Sequence, residues 1–200
     1  MRTFIELAMP DAAREYIRQR QDHVCRLLVG QGAADCFRWT QISSVHLTLR
    51  FLGDTTEDQQ RRLAHGLADM ATDWPAIPLS IGGLGGFPSV RKPRVLWLGI
   101  GGDLDGLHRL QAAVERLAQA CGFEPEDRPY SPHLTIARTR RNCSRGSLQE
   151  AGKVLSQFRA EDTVHSAEGR FDSATLIHTR SDLQTSGAVY SPLSTHLLSR

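Results

Sequence analysis

Apolar positions along this chain follow two rhythms, steps of three or four residues and strict alternation, and the two take turns. A short apolar run at 4–7 predicts a strand. Pro10 and Asp11 then open a helical stretch through Ala13, Tyr16, Ile17, Val24, Leu27 and Leu28, closed by Gly30 and Gly32. A strand follows over 44–52 and stops at Gly53-Asp54. Thr55 and Thr56, with acidic residues just behind them, start a helix that reaches about residue 70 through Leu63, Ala64 and Leu67. A strand at 77–82 leads into a glycine-rich, basic stretch, and the order then repeats. It runs as a strand over 94–100, a helix over 103–121 with Leu104, Leu107, Leu110, Val114 and Leu117 on one face, a strand over 132–138, a helix over 147–158 and a strand over 170–177. An extended segment over 188–198 closes the chain. β-α-β-α-β written twice predicts an α+β fold, a single domain over 1–200. It would have two pseudo-symmetric lobes, each an antiparallel-rich sheet with helices outside, facing across a central cleft. The stretch Gly82-Gly83-Leu84-Gly85-Gly86-Phe87-Pro88 matches no phosphate-binding loop and reads as a hairpin or inter-lobe connector.

Two of the predicted strands carry chemistry. Val45-His46-Leu47-Thr48-Leu49-Arg50-Phe51 alternates, so Val45, Leu47, Leu49 and Phe51 would enter the core while His46, Thr48 and Arg50 share the other face. In Pro132-His133-Leu134-Thr135-Ile136-Ala137-Arg138, Leu134 and Ile136 point inward and His133 and Thr135 point out together. By the same count Arg138 falls on the core side unless the strand bends. A single His-x-Thr arises by chance, and a lone strand histidine is more often a surface or satisfied core residue. Two copies at equivalent points of a repeated order are a different signal. The other histidines (His23, His65, His108, His165, His178 and His196) lack this context. Opening a cyclic phosphodiester requires one base to activate water and one acid to protonate the leaving oxygen. Histidine, titrating near 6.5, can do either. Threonine hydroxyls can donate to the non-bridging phosphate oxygens.

Composition narrows the setting more than the chemistry. Forty per cent of residues are apolar and no run is long enough to cross a membrane. The N-terminal segment, with Glu6 inside its apolar run, does not read as a signal peptide, which points to the cytoplasm. Cys25, Cys36, Cys121 and Cys143 have no zinc-ligand spacing, so no metal is expected and reduced thiols are. A net charge of +2 is too small to argue for nucleic acid by itself. The cations are nearly all arginine, with Lys92 and Lys153 the only lysines, and they cluster at 91–94 and at Arg138, Arg140, Arg141 and Arg145. Arginine's planar fork suits phosphate, although such runs are usually solvated loops.

The paired motifs in this setting resemble those of the two-histidine phosphoesterases, in particular their RNA 2′,3′-cyclic phosphodiesterase branch, related to tRNA 2′-5′ ligases. The resemblance covers nearly the whole chain. It takes in Phe4-Ile5-Glu6-Leu7, Arg38-Trp39-Thr40, both motif strands, Gly86-Phe87-Pro88, the run from Arg94 to Gly99, and Gly187-Ala188-Val189-Tyr190. It implies a bilobal fold, His46 as proton donor to the 3′ oxygen, His133 as the base that activates water, Thr48 and Thr135 on the phosphate, and a 2′-phosphate product. It also implies phosphate binding by Arg138 and base or cleft-wall contacts from Tyr130 and Phe51. Arg50 joins the substrate-binding set by its strand face. No cofactor is implied; the partner is an RNA with a 2′,3′-cyclic phosphate end or a small cyclic nucleotide, and the protein is expected to be a monomer away from membranes. Ligation by a 5′-hydroxyl, other cyclic nucleotide substrates and a non-catalytic RNA-end binder are the competing readings. The segment His178-Thr179-Arg180 is the chief departure from the family's pattern and does not repeat His-x-Thr.

Overall fold

A computed structural model describes residues 1–161, 169–184 and 187–199. The elements are β1 (Arg2–Leu7), α1 (Asp11–Val29), β2 (Phe37–Trp39), β3 (Leu47–Asp54), α2 (Glu57–Asp73), β4 (Ile77–Phe87), β5 (Val95–Gly102) and α3 (Leu104–Ala120). After these come β6 (His133–Thr139), α4 (Arg145–Glu161), β7 (Arg170–Ser173), β8 (Thr175–Gln184) and β9 (Gly187–Leu197). The helices start where the sequence provides caps. Thr56 and Gln59 exchange side-chain and backbone bonds in a capping box, and Asp103 accepts from the Gly106 N–H at 2.8 Å. His165 lies outside the described residues.

The α+β class is as expected, but the two halves are not separate sheets. Among the described residues one antiparallel sheet runs β7-β4-β5-β6-β3-β1-β8-β9, with β2 beside β6, and it curls into a half-barrel. The halves join through the motif strands at the pair Leu47–Leu134. Nor do the lobes coincide with halves of the sequence. The last strand of each β-α-β-α-β run crosses over, so β4 sits beside β5 and β8 beside β1. Helices α1 and α4 lie over the half built from β4 to β7, while α2 and α3 cover β3, β8 and β9. Packed between sheet and helices is a continuous core that includes Ile5, Leu7, Leu47, Leu67, Leu96, Leu110 and Leu134.

Three expectations change here. The glycine-rich stretch is not a connector, because β4 continues through it to Phe87. Side chains are missing there because the partner strand fills the space: the Trp97 indole lies over Gly85, and Gly82 abuts the Gly99 backbone. The strand expected over 170–177 is two strands, broken at Ala174. Finally, Cys36 and Cys143 form a disulfide, whereas Cys25 and Cys121 are free thiols. Although 107 residues separate the pair, the β2–β6 pairing of Phe37 with Thr139 brings them together, and the Arg140 N–H donates to the Cys36 carbonyl. No local spacing could have revealed it.

Candidate active site

Both motifs sit where β3 meets β6. Since Leu47 and Leu134 are direct antiparallel partners and fully buried, the neighbouring residues alternate to the opposite, open face. That register sets His46 across from Thr135 and Thr48 across from His133. Each histidine is held in the same way. The Nδ1 of His46 donates to the Ser44 carbonyl at 2.9 Å, and that of His133 donates to the Ser131 carbonyl at 2.7 Å. A carbonyl only accepts, so Nδ1 carries a hydrogen in both rings and Nε2 is left for chemistry. Packing fixes the ring planes. His46 stacks on Phe4 (centroids 4.6 Å) and meets Tyr190 edge-on, whereas His133 meets Phe87 edge-on at 5.0 Å beside Trp97. Burial pushes both imidazoles below the ordinary histidine range, and the charge of Arg138 adds to this at each.

A bulge then decides which neighbours join the face. In the β1–β3 ladder Glu6 pairs with Thr48 and Ile5 with Arg50, so Leu49 is the extra residue. In the β5–β6 ladder Trp97 pairs with Thr135 and Leu96 with Ala137, so Ile136 is the extra residue. An extra residue reverses the alternation beyond it. Arg138 is thereby carried to the side of Thr135, which answers the parity objection. Phe51 turns outward instead of entering the core; it is 59% exposed and 5.9 Å from Phe4.

Arg50, expected on the motif face, is turned the other way. It is 8% exposed, pairs with Glu115 of α3 and with Glu126, and donates to the carbonyls of Phe51 and Glu124. It ties the chain after α3 to β3. Tyr130, expected as a substrate contact, uses its hydroxyl to donate to the Thr48 carbonyl at 3.1 Å, and its ring lies beside His108. It braces the first motif.

Several residues of the site escaped the sequence reading. Glu6 is 8% exposed; its Oε2 is 3.3 Å from His46 Nδ1, and its Oε1 accepts from the Thr179 hydroxyl at 2.8 Å. A single acid inside the apolar run of β1, in register with Thr48, was the available signal. Thr179 explains part of the unread segment, while its neighbour His178 is fully buried with no hydrogen-bond partner for either ring nitrogen among the described residues. Beside His46 and Arg138 opens a cavity of about 360 Å³, lined by Arg38, Trp39, Ser44, Arg138 and Tyr190 among others. Arg38 and Arg138 are cross-strand partners, so two guanidinium-bearing positions stand side by side. A larger cavity, about 810 Å³, lies between the 88–94 loop and α4 and contains neither motif histidine.

Comparisons with known proteins show the family and the fold. A family model described as the 2′-5′ RNA ligase superfamily matches residues 9–183. An Aquifex aeolicus protein called RNA 2′,3′-cyclic phosphodiesterase is 33% identical over 76% of this chain and 77% of its own length. One of the same description from Methanothermobacter thermautotrophicus is 30% identical over 86% and 89%. Among solved structures, a Thermus thermophilus protein superposes with a TM-score of 0.77 at 21% identity, covering 99% of this chain and 98% of its own. Escherichia coli LigT complexed with 3′-AMP superposes with a TM-score of 0.73 at 20% identity, covering 100% and 98%. At these identities the two structures speak for the fold alone.

Proposed function

The chain belongs to the 2′-5′ RNA ligase superfamily, and from that premise we propose that it hydrolyses 2′,3′-cyclic phosphate ends of RNA to 2′-phosphates without a metal, by acid–base chemistry between His46 and His133. The observation that carries this reading is the matched pair of histidines. Both have Nδ1 fixed to the carbonyl two residues upstream, and they lie on interlocked strands that leave Nε2 on one face with Arg138. Water gives a proton to His133 Nε2 as its oxygen bonds to phosphorus. The bond from phosphorus to the 3′ oxygen breaks, and that oxygen takes the proton from His46 Nε2. The two histidines end with their protonation exchanged and reset against solvent. Thr48, Thr135 and Arg138 stabilise the charge on the non-bridging oxygens. The cavity beside Arg38 and Tyr190 receives the rest of the terminal nucleotide.

A short RNA ending in a 2′,3′-cyclic phosphate, incubated in EDTA and followed by phosphorus NMR, tests the reading. A 2′-phosphate product is expected. An intact cyclic phosphate would overturn the reading, and a 3′-phosphate would reverse which oxygen leaves. The name of the superfamily favours one second reading, in which an RNA 5′-hydroxyl replaces water at phosphorus. The same groups would serve, and added 5′-hydroxyl RNA would then yield a 2′-5′ linked product.

A further inference from the structure

We infer that Glu6 is the positioning residue that holds His46 in its doubly protonated form, so that the first-motif histidine is the one that gives up a proton. The inference rests on the two-histidine reading and adds to it a residue that neither motif contains.

The symmetry of the site makes Glu6 conspicuous. Across the sheet from Thr48 stands Glu6; at the equivalent place, across from Thr135, stands Trp97. One histidine therefore has a buried carboxylate 3.3 Å from Nδ1, and the other has aromatic rings. Arg14 favours a negative Glu6, whereas burial first and then Arg138, His133 and Arg14 push His46 toward its neutral form, and the carboxylate beside Nδ1 acts against that push. Arg14 comes from α1, pinned to the carbonyls of Met9 and Ile42, while Arg138 and His133 come from β6. Tyr190 of β9 also faces Glu6, with its hydroxyl pushed above the ordinary tyrosine range by burial, and so stays neutral.

Counting protons locates the charge. Burial pushes the Glu6 carboxyl up to about 7, so Glu6 and His46 together take up a proton in the neutral range. The Ser44 carbonyl already requires a hydrogen on Nδ1, which leaves the shared proton either on Glu6 or on Nε2. On Nε2 it gives an imidazolium whose Nδ1–H donates to the Ser44 carbonyl with the Glu6 carboxylate 3.3 Å from Nδ1, and the Thr179 hydroxyl donates to that carboxylate. The two groups at Nδ1 are then complementary to the charge. On Glu6 it would put a neutral acid against those same donors. Among the described residues His133 has no such counter-ion, and burial first, with Arg138 adding to it, holds it below the ordinary histidine range, as suits a base.

The sign of the effect on rate follows. The carboxylate raises the pH at which His46 loses its second proton, and that loss sets the high-pH limb of activity. Glu6→Gln keeps the shape, can still accept from Thr179 and removes the charge. Imidazole NMR titration of His46 is expected to move down by more than about one pH unit in E6Q. The high-pH limb of kcat/KM on cyclic-phosphate RNA is expected to move with it, costing about tenfold at pH 8, while the low-pH limb set by His133 stays. Glu6→Asp is expected to restore much of the shift, and Thr179→Val to give a smaller one in the same direction. A folded E6Q with an unchanged His46 titration and an unchanged high-pH limb would reduce Glu6 to a packing residue. Should E6Q fail to fold, an unmoved His46 titration in T179V would overturn the inference equally. The NMR titration needs no substrate, so it decides the role of Glu6 even if wild-type protein leaves the RNA intact, an outcome that would sink the hydrolysis reading instead.

Discussion

At His46 and at His133 the backbone does the same thing twice. Each ring is locked through Nδ1 to the carbonyl two residues before it, each threonine follows on the same face, and each strand inserts one extra residue directly after that threonine. What differs is the set of side chains placed by that common geometry. Glu6 answers to Trp97, Arg50 to Ala137, and Phe51 to Arg138. A symmetric frame could present two interchangeable histidines; in the proposed reaction the unlike neighbours are what would let one act as acid and the other as base. On that proposal symmetry is broken outside the motifs, and substitutions at matched positions in the two strands should have unmatched effects.

The motif histidines are the exception, where matched substitutions should both be severe. His46→Ala and His133→Ala are each expected to lower kcat by about 10²–10⁴, since a positioned acid or base is worth that much. Melting temperature should change little, because both rings lie on the face opposite the buried Leu47 and Leu134. Rates at several pH values would separate them: loss of the base should be partly offset at high pH by hydroxide, and loss of the acid should not. A variant of either that turned over at the wild-type rate would remove that histidine from the mechanism.

The next pair separates stability from chemistry. Arg50 lies under the sheet with Glu115 and Glu126, where Ala137 occupies the matching place in β6. Removing one member of a buried ion pair leaves the other charge unmatched and costs about 3 kcal/mol. For a domain of this size that is a fall of roughly 6–12 °C in melting temperature. Arg50→Ala is therefore expected to melt early while turning over cyclic-phosphate RNA within about threefold of wild type once folded. A large loss of kcat/KM in the folded variant, with normal melting, would return Arg50 to the substrate face.

Arg50 also shows where sequence reading stops. Alternation identified the motif strands, and repetition singled out His46, Thr48, His133 and Thr135, because those residues precede the bulge and obey a simple period of two. One residue later the count fails: Leu49 and Ile136 are extra in their ladders, which turns Arg50 inward and brings Phe51 and Arg138 outward. Bulges answer to the partner strand, which a local pattern does not contain. The same limit hid the crossing of β4 and β8, the Cys36–Cys143 bond and the partnership of Glu6 with His46, all of them set by strands far apart in sequence. Glycines at 82–86 misled for a related reason: their meaning lies in Trp97 and Gly99 across the ladder. Helices fared better, since caps such as Thr56 and Asp103 act within their own turn.

The smallest effects should come from the outward pair, and their difference sharpens the comparison most. Phe51 and Arg138 occupy the same place after the same bulge, yet one can offer only a ring face and the other a charge whose influence reaches both histidines and Tyr190. A charge-assisted contact to phosphate is worth about 1.5–3 kcal/mol, so Arg138→Ala is expected to lower kcat/KM by roughly 10–100-fold. With that charge gone both imidazoles are freed from its repulsion, and the low-pH limb set by His133 should move up in pH. Phe51 is largely exposed and can at most stack on a base, so Phe51→Ala is expected to cost no more than about tenfold, mainly in KM. Equal losses in the two variants would mean that the paired strands hold the substrate alike, and that the division of labour lies with Glu6 and Trp97 alone.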